Sequence, residues 1–266
     1  MNEATTQVAG RPVPIISEAM NEQWLGLVPM NLAIYNHEYT SHCTSVPAYQ
    51  AVYGGWAVNV GDNRYPWSSR ANRTRQHWVG MQRGMVAQLF VEGSVMGWMA
   101  LEELAMWMNN ASHSDDIGFF RTLCQLRVAA NKFLVHGRLW RPPAVHALPP
   151  TTTMVCDFGT FGSTTPIDPA MCCNISNALV SAWADQNGSQ IGVAMVNHGV
   201  ELVQLVVDIA LPPALQSKKT LIGRSLGSTG SVPTTIPTQR SADGTSAQLV
   251  HKLPTLTGAV FELLCP

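Results

Sequence analysis

A short apolar run near the start of the chain leads into acidic residues that can do acid–base chemistry. Glu18 follows the run Ile15–Ser17, and Glu22 and Trp24 come shortly after it. In β/α barrels, catalytic groups are displayed at the carboxyl ends of the strands. Cleavage of a glycosidic bond uses two carboxyl groups, and the apolar face of a sugar packs on an aromatic ring. Glu18 is therefore the candidate catalytic acid/base, unless it only caps a following helix while Glu22 lies on the surface.

Three further segments combine polar and aromatic side chains in a way that suits sugar binding. They are residues 35–43, 50–67 and 90–98. Aromatic rings can form platforms for sugar rings, while carboxylate, amide and guanidinium groups can hydrogen-bond to hydroxyl groups. The alternative for the aromatic residues is packing in the core. The candidate substrate-binding residues are Glu22, His37, Glu38, Tyr53, Trp56, Asp62, Arg64 and Trp98.

The segment His37–Cys43 lacks the spacing of a metal site. His37 and His42 are five residues apart, whereas zinc-binding helices carry their histidines in the pattern H-E-x-x-H. A substrate-facing loop, or a histidine with an ordinary structural role, is the better interpretation. Gly54 and Gly55 do not make a phosphate loop, because no Lys-Ser or Lys-Thr pair follows them. We therefore expect neither a metal ion nor a cofactor.

The elements that must position these residues change in character near residue 141. Before it, short apolar runs alternate with helical segments, which is typical of a parallel sheet buried on both faces. Apolar periodicity predicts a helix over Asp115–His136, with Ser114 as its N-cap and Gly137 as its C-cap. Shorter helices are predicted over Ser69–Arg83 and Leu101–Asn109. The predicted strands are Val13–Ser17, Val46–Val52, Trp56–Val60 and Met85–Val91.

After Pro150 the chain consists of short strand-like segments separated by Ser, Thr, Pro and Gly. Asn177–Trp183 and Gln190–Val196 predict two strands joined by a turn at residues 185–188. The pattern as a whole predicts an antiparallel β-sandwich. We therefore divide the chain into residues 1–145, with parallel β/α structure, and residues 146–266, with the sandwich.

Composition and charge exclude several classes of partner. Charged residues make up 12% of the chain, against about 25% in typical soluble domains. The formal net charge of -1 gives no basis for binding nucleic acid or an anionic membrane. No apolar run reaches the roughly 18 residues of a membrane span. The six cysteines lack C-x-x-C spacing, so buried free thiols are the simplest expectation.

The polar N-terminus, residues 1–10, does not have the pattern of a signal peptide. Four Asn-x-Ser/Thr sequences nevertheless permit N-glycosylation if the protein enters the secretory route. A secreted parent protein fits both observations, and the compartment stays open at this point. The four acceptor positions are Asn72, Asn110, Asn174 and Asn187.

Several segments, in this order, resemble the C-terminal part of an uncharacterised family of glycoside-hydrolase-like (β/α)8 barrels. They are PIISEAMNEQW, VPAYQAVYGGW, QLFVEGSVMGW and KFLVHGRLWRPP, followed by SAWADQNGSQIGVAMVNHG. The resemblance covers roughly residues 11–266. It implies the C-terminal half of a (β/α) barrel, a partial barrel, followed by an antiparallel β-sandwich without a catalytic role. It also implies that Glu18 is the acid/base or a substrate ligand, with a glycan or oligosaccharide as substrate.

The chain departs from this family in the number of its barrel strands. Only three or four can be counted, whereas a barrel closes with eight, and the nucleophilic Asp that such enzymes usually carry on an earlier strand is not found. We therefore expect a fragment of a longer glycosidase, which self-associates when expressed alone because its sheet edges are open. The alternative is a non-catalytic carbohydrate-binding or structural remnant, and the sequence upstream would distinguish the two.

Overall fold

The computed structural model is built mostly of strands with few helices. It describes residues 10, 16–18, 30–34, 47–54, 57–62, 75–97, 111–146, 149–155, 172–227, 234–236 and 238–265. These residues form a parallel sheet with its helices, two larger antiparallel sheets and a separate two-stranded antiparallel sheet. Among the described helices, none has the length and apolar character that crossing a membrane requires.

The parallel sheet contains four strands whose order in space is their order in the chain. They are β1 (Ile16–Glu18), β2 (Met30–Ile34), β3 (Val58–Asp62) and β4 (Val95–Gly97). All three pairings are parallel, with an irregularity between Leu32 and Ile34. Helix α1 (Ala48–Tyr53) lies between β2 and β3, and helix α2 (Arg75–Val91) lies between β3 and β4. Strands β2 and β3, and strands β3 and β4, are therefore joined by β/α connections.

Two segments that we predicted as strands are helical. Val46–Val52 falls largely in α1, and Met85–Val91 is the C-terminal half of α2. Of the residues in Met85–Val91, all but Gln88 are buried. A helix covered on several sides is apolar all round, and a short apolar run of this kind cannot be told from a buried strand by periodicity alone.

The helix predicted over Asp115–His136 exists, but it is interrupted. Helix α3 covers Ser114–Ala129 and a short helix α4 covers Asn131–Leu134, after a 3-10 turn at Ala111–His113. The predicted apolar face is confirmed, since Phe119, Leu123 and Leu126 are buried. The N-cap is His113 rather than Ser114, which is already the first residue of the helix.

The remaining strands are antiparallel. They are β5 (Arg138–Leu139), β6 (Ala144–Val145), β7 (Thr151–Val155), β8 (Cys172–Ser176), β9 (Ala178–Ala184), β10 (Ile191–Asn197), β11 (Val203–Ala210), β12 (Ile222–Leu226), β13 (Thr235–Ile236), β14 (Thr238–Arg240), β15 (Ser246–Leu253) and β16 (Thr257–Leu264). The hairpin predicted around residues 185–188 is confirmed, because β9 and β10 pair along seven positions. A six-stranded large sheet has the order β13-β12-β16-β10-β9-β5, and a four-stranded small sheet has the order β14-β15-β11-β6. A short helix, α5, covers Pro213–Gln216.

Two cores lie on opposite faces of the large sheet. Val193, Met195 and Phe261 point into the core shared with the small sheet. Ala194 and Val260 point into a second core, shared with α2, α3 and α4. All seven residues of β10 are buried because both faces of this strand are covered. Antiparallel pairing begins as early as β5 and β6, and the division into domains at residue 145 stays a prediction.

Candidate active site

The carboxyl edge of the parallel sheet carries acidic residues on two of its strands. Glu18 is the last residue of β1 and Asp62 is the last residue of β3. The carboxyl ends of parallel strands open on the same edge, where α/β enzymes bind their ligands. The edge therefore holds two positions that can contribute a carboxyl group, on strands separated by β2.

The strand register fixes the relative heights of these positions. Glu18 pairs with Leu32, which in turn pairs with Val60, so Glu18 is level with Val60. Asp62 lies two residues further and pairs with Gly97 of β4. At about 3.3 Å per residue, Asp62 is roughly 7 Å further toward the carboxyl edge than Glu18.

Helices α1 and α2 hold the strand that carries Asp62. The buried side chain of Asn59 donates from Nδ2 to Gln50 Oε1 of α1, at 2.5 Å. Gly61 packs against Leu89 of α2, and a Cβ atom at position 61 would lie 2.1 Å from Leu89 Cδ2. The missing side chain of Gly61 therefore lets α2 approach β3 closely.

The amino end of β4 is held from two sides. Arg127 of α3 donates to the carbonyl oxygens of Gly93 and Ser94, at 3.0 and 3.1 Å. Trp183 of the large sheet donates from Nε1 to the carbonyl oxygen of Val91, at 3.2 Å. Gly93 has φ +72°, and a Cβ there would lie 2.6 Å from Trp183 Cη2. Burial lowers the pKa of Arg127, which remains a cation because an arginine titrates far above neutral pH.

A polar cluster joins α2, α3 and the loop after β10. Arg83 and Asp116 form an ion pair of 2.5 Å. The buried His198 ring hydrogen-bonds through Nε2 to the carbonyl oxygen of Ser176, at 2.8 Å. Burial, with a smaller contribution from Arg83, lowers the pKa of His198 to about 4, although the backbone hydrogen bond to Ser176 opposes the shift. His198 is therefore neutral near pH 7 and acts as a structural element of the junction.

The other residues proposed for the site differ in how far they can be located. Tyr53 ends α1, and its carbonyl oxygen accepts a hydrogen bond from Ala57 N just before β3 begins. The backbone of Tyr53 thus lies in the connection that leads into the amino end of β3, and its part in the site stays a prediction. Within the described ranges, no group of three His, Cys, Asp or Glu residues could hold a metal ion. Outside the described residues lie Glu22, His37, Glu38, Trp56, Arg64 and Trp98.

Sequence reasoning missed β2 and the contacts that support β4. The alternating run Met30–Ile34 was the available signal for β2, and its end precedes His37 by three residues. Arg127 and Trp183 carried no such signal, because their partners lie 34 and 92 residues away along the chain.

No family model matches the chain. It is 27% identical over 165 residues to "Putative glycoside hydrolase 22789" of Monosiga brevicollis, in a match that covers 55% of this chain and 13% of that protein. The chain therefore spans a small part of this relative's length. The similarity supports a glycoside hydrolase-like relationship.

Solved structures of glycoside hydrolases are also similar to the chain at a distance. A maltogenic α-amylase from Thermotoga neapolitana aligns with a TM-score of 0.49 and 9% identity, covering 98% of this chain and 57% of that one. A variant of the GH27 β-L-arabinopyranosidase from Geobacillus stearothermophilus, in complex with arabinose, aligns with a TM-score of 0.46 and 12% identity, covering 99% of this chain and 53% of that one. The chain thus spans about half of each enzyme, and these distant similarities carry no argument about its activity.

Proposed function

We propose that the chain is part of a glycoside hydrolase and that the carboxyl edge of its parallel sheet belongs to the glycan-binding cleft. The observation that carries this proposal is the occurrence of Glu18 and Asp62 at the ends of β1 and β3 on one edge. The relationship to a glycoside hydrolase-like protein supports the class of reaction. The sequential order of the four parallel strands supports a partial (β/α) barrel.

In this proposal Glu18 is the acid/base group and the second carboxyl group lies nearby. A general acid protonates the leaving oxygen of the glycosidic bond, while another carboxylate stabilises or attacks the anomeric carbon. Asp62 is suited to contact the sugar at the same edge. Glu22, His37, Glu38, Arg64 and Trp98 remain candidates because each follows closely after one of the parallel strands in the sequence.

The test is to compare variants of the longer protein that this proposal implies. Turnover of a panel of nitrophenyl α- and β-glycosides would be measured for the wild type, Glu18→Gln and Glu201→Gln. Glu201 is exposed in the loop after β10, so Glu201→Gln is a matched control. We expect Glu18→Gln to lower kcat by at least about 10²-fold, the low end for general acid–base catalysis.

Unchanged turnover in Glu18→Gln would contradict the catalytic role of Glu18. A longer protein that hydrolyses none of the glycosides but binds the sugars would favour a non-catalytic carbohydrate-binding remnant instead. Glu22→Gln is expected to have a smaller effect than Glu18→Gln if Glu22 only orients the substrate.

The same proposal includes self-association of the isolated chain. In the part of the chain that the structure describes, β1 and β4 each pair on one side only. Open strand edges of this kind are templates for pairing with other chains. We expect light scattering of the isolated chain to show association, and a monodisperse monomer would contradict the proposal that the barrel is incomplete.

A further inference from the structure

An Asn-x-Ser sequence lies at the tip of the hairpin between β9 and β10. It consists of Asn187, Gly188 and Ser189. We propose that Asn187 is the acceptor of an N-linked glycan, a modification that is independent of the proposed glycosidase activity. Of the other three sequences of this kind, Asn174 lies inside β8, where it pairs with Thr153. Asn72 and Asn110 lie outside the described residues.

The turn that presents Asn187 is closed by its neighbours. The Asp185 carboxylate accepts hydrogen bonds from the backbone N–H groups of Ser189 and Gln190, at 2.6 and 3.0 Å, and from Ser189 Oγ, at 2.7 Å. Gly188 donates its N–H to the carbonyl oxygen of Asp185 and has φ +66°. Asn187 is exposed and supplies none of these hydrogen bonds. A bulky group on its amide nitrogen therefore leaves the turn intact.

Contacts through α4 and α3 link the hairpin tip to the amino end of β4. Gln190 accepts a hydrogen bond from Lys132 of α4, at 2.8 Å. Helix α4 follows the end of α3, where Arg127 contacts the amino end of β4. The tip is thus on the side where the strands of the parallel sheet begin. Glu18 and Asp62 lie where β1 and β3 of that sheet end. A glycan on Asn187 leaves the proposed cleft open.

The transfer step involves a lipid-linked oligosaccharide diphosphate as donor. Asn187 Nδ2 forms a bond to the anomeric carbon of the donor, and the bond from that carbon to the diphosphate oxygen breaks. The lipid diphosphate leaves with the bonding electrons, and Nδ2 gives up one proton to a base of the transferase. Because the folded turn ties the Ser189 hydroxyl to Asp185, transfer precedes closure of the hairpin.

The test is to express the full chain behind a secretion signal in a eukaryotic cell line and to map its glycopeptides by mass spectrometry. Peptide-N-glycosidase identifies the modified asparagine, since it converts that residue to aspartate. We expect a glycan on the peptide that contains Asn187. Asn187→Gln should lose this glycan alone, whereas Ser189→Thr, which keeps the hydroxyl, and Asn174→Gln should retain it.

An unmodified Asn187 in the secreted wild type and in secreted Ser189→Thr would overturn the proposal. The readout is the mass of one peptide, so its failure is distinct from failure of the glycosidase proposal. Asn187→Gln is also expected to leave turnover by the longer protein unchanged, because the contacts of the hairpin tip lead to the amino end of β4 and not to the carboxyl edge. A loss of turnover in Asn187→Gln would contradict the inference that a glycan at this position lies outside the proposed cleft.

Discussion

The parallel sheet and the antiparallel sheets differ in how they are held together. The parallel strands are three to five residues long, and β4 pairs with β3 at three positions. Strands β10 and β16, by contrast, pair at seven positions and lie between two cores. The parallel sheet is buttressed by α2 and α3, which themselves pack on the large sheet. The region with the candidate chemistry thus depends for its stability on a region without it.

Replacing Trp183 should weaken the support of the parallel sheet by the large sheet more than any other change considered. Its indole is 1% exposed, covers Gly93 and caps the end of α2. We expect Trp183→Ala to lower the free energy of unfolding by about 3–5 kcal/mol, the range for large core truncations. Urea unfolding measures the loss, and hydrogen exchange should show faster exchange in α2 and β4.

The matched control is Trp140→Ala. Trp140 packs against the core between the two sheets and donates from Nε1 to the carbonyl oxygen of Ala210, at 2.8 Å. This change should accelerate exchange in the small sheet first. The same exchange pattern in both variants would contradict the dependence of α2 and β4 on Trp183.

The ion pairs of Glu262 test how the large sheet contributes to the stability of the protein. The Glu262 side chain is fully buried and pairs with Arg224 of β12 and Lys132 of α4, whose side chains are partly exposed. Arg224→Leu leaves a buried carboxylate with one partner and should cost about 3 kcal/mol. Glu262→Gln should cost less, because the two cations can turn to solvent.

A double-mutant cycle measured by urea unfolding tests this asymmetry. The variant with both Arg224→Leu and Glu262→Gln should be more stable than Arg224→Leu alone, since it no longer buries a carboxylate that has lost one of its two cations. If the losses of unfolding free energy in the two single variants add up in the double variant, the destabilisation by Arg224→Leu does not arise from the Glu262 carboxylate.

His198 makes the junction between the two regions sensitive to acid. Its pKa is about 4 in the folded protein, against about 6.5 in an unfolded chain. The unfolded state therefore binds more protons between these values, so the stabilisation is complete above pH 6.5 and is lost as the pH falls toward 4. The expected loss at pH 4 is roughly 3 kcal/mol.

Unfolding free energies measured from pH 7 to pH 4 test this expectation. His198→Gln can keep a hydrogen bond to Ser176 and should show a flatter profile than the wild type. His136→Gln, at an exposed residue after α4, is the matched control. Parallel profiles for the wild type and His198→Gln would mean that His198 does not carry the acid sensitivity.

The smallest change in the free energy of unfolding is expected from replacing a glycine within α3. Gly118 is exposed, and a Cβ there would meet no atom within 4 Å. Gly118→Ala should raise the free energy of unfolding by about 0.5–1 kcal/mol, because alanine is the better helix former. Gly93→Ala, at a positive φ beneath Trp183, should instead be destabilising. Thermal unfolding of the two variants distinguishes them, and a shift of the same sign in both would contradict the strained contact at Gly93.

Local sequence signals account for the parts of the structure that could be predicted. The turn at residues 185–188 and its flanking apolar runs indicated β9 and β10, and the periodicity of Phe119, Leu123 and Leu126 indicated α3. Both signals lie within a short stretch of the sequence. The strand predicted at Met85–Val91 was wrong because long-range packing on the large sheet, invisible in a short window, makes that half of α2 apolar all round.

In the candidate site, too, some features follow from local sequence signals and others from contacts between distant segments. That Glu18 and Asp62 each follow an apolar run was visible in the sequence, and the ends of β1 and β3 agree with it. The offset between them depends on the strand register, which no local pattern specifies. The placement of Tyr53 toward the amino end of β3 follows from α1, which had been predicted as a strand.

The contact between Gly61 and Leu89 has a consequence for how this protein can change over evolutionary time. A side chain at position 61 fits only if the Leu89 side chain moves or position 89 gives up volume, because the two residues share one space. The two positions are therefore expected to co-vary, and Gly61→Ala should be tolerated better together with Leu89→Ala than alone. This packing contact thereby limits which homologous sequences can keep β3, and with it Asp62, in this position.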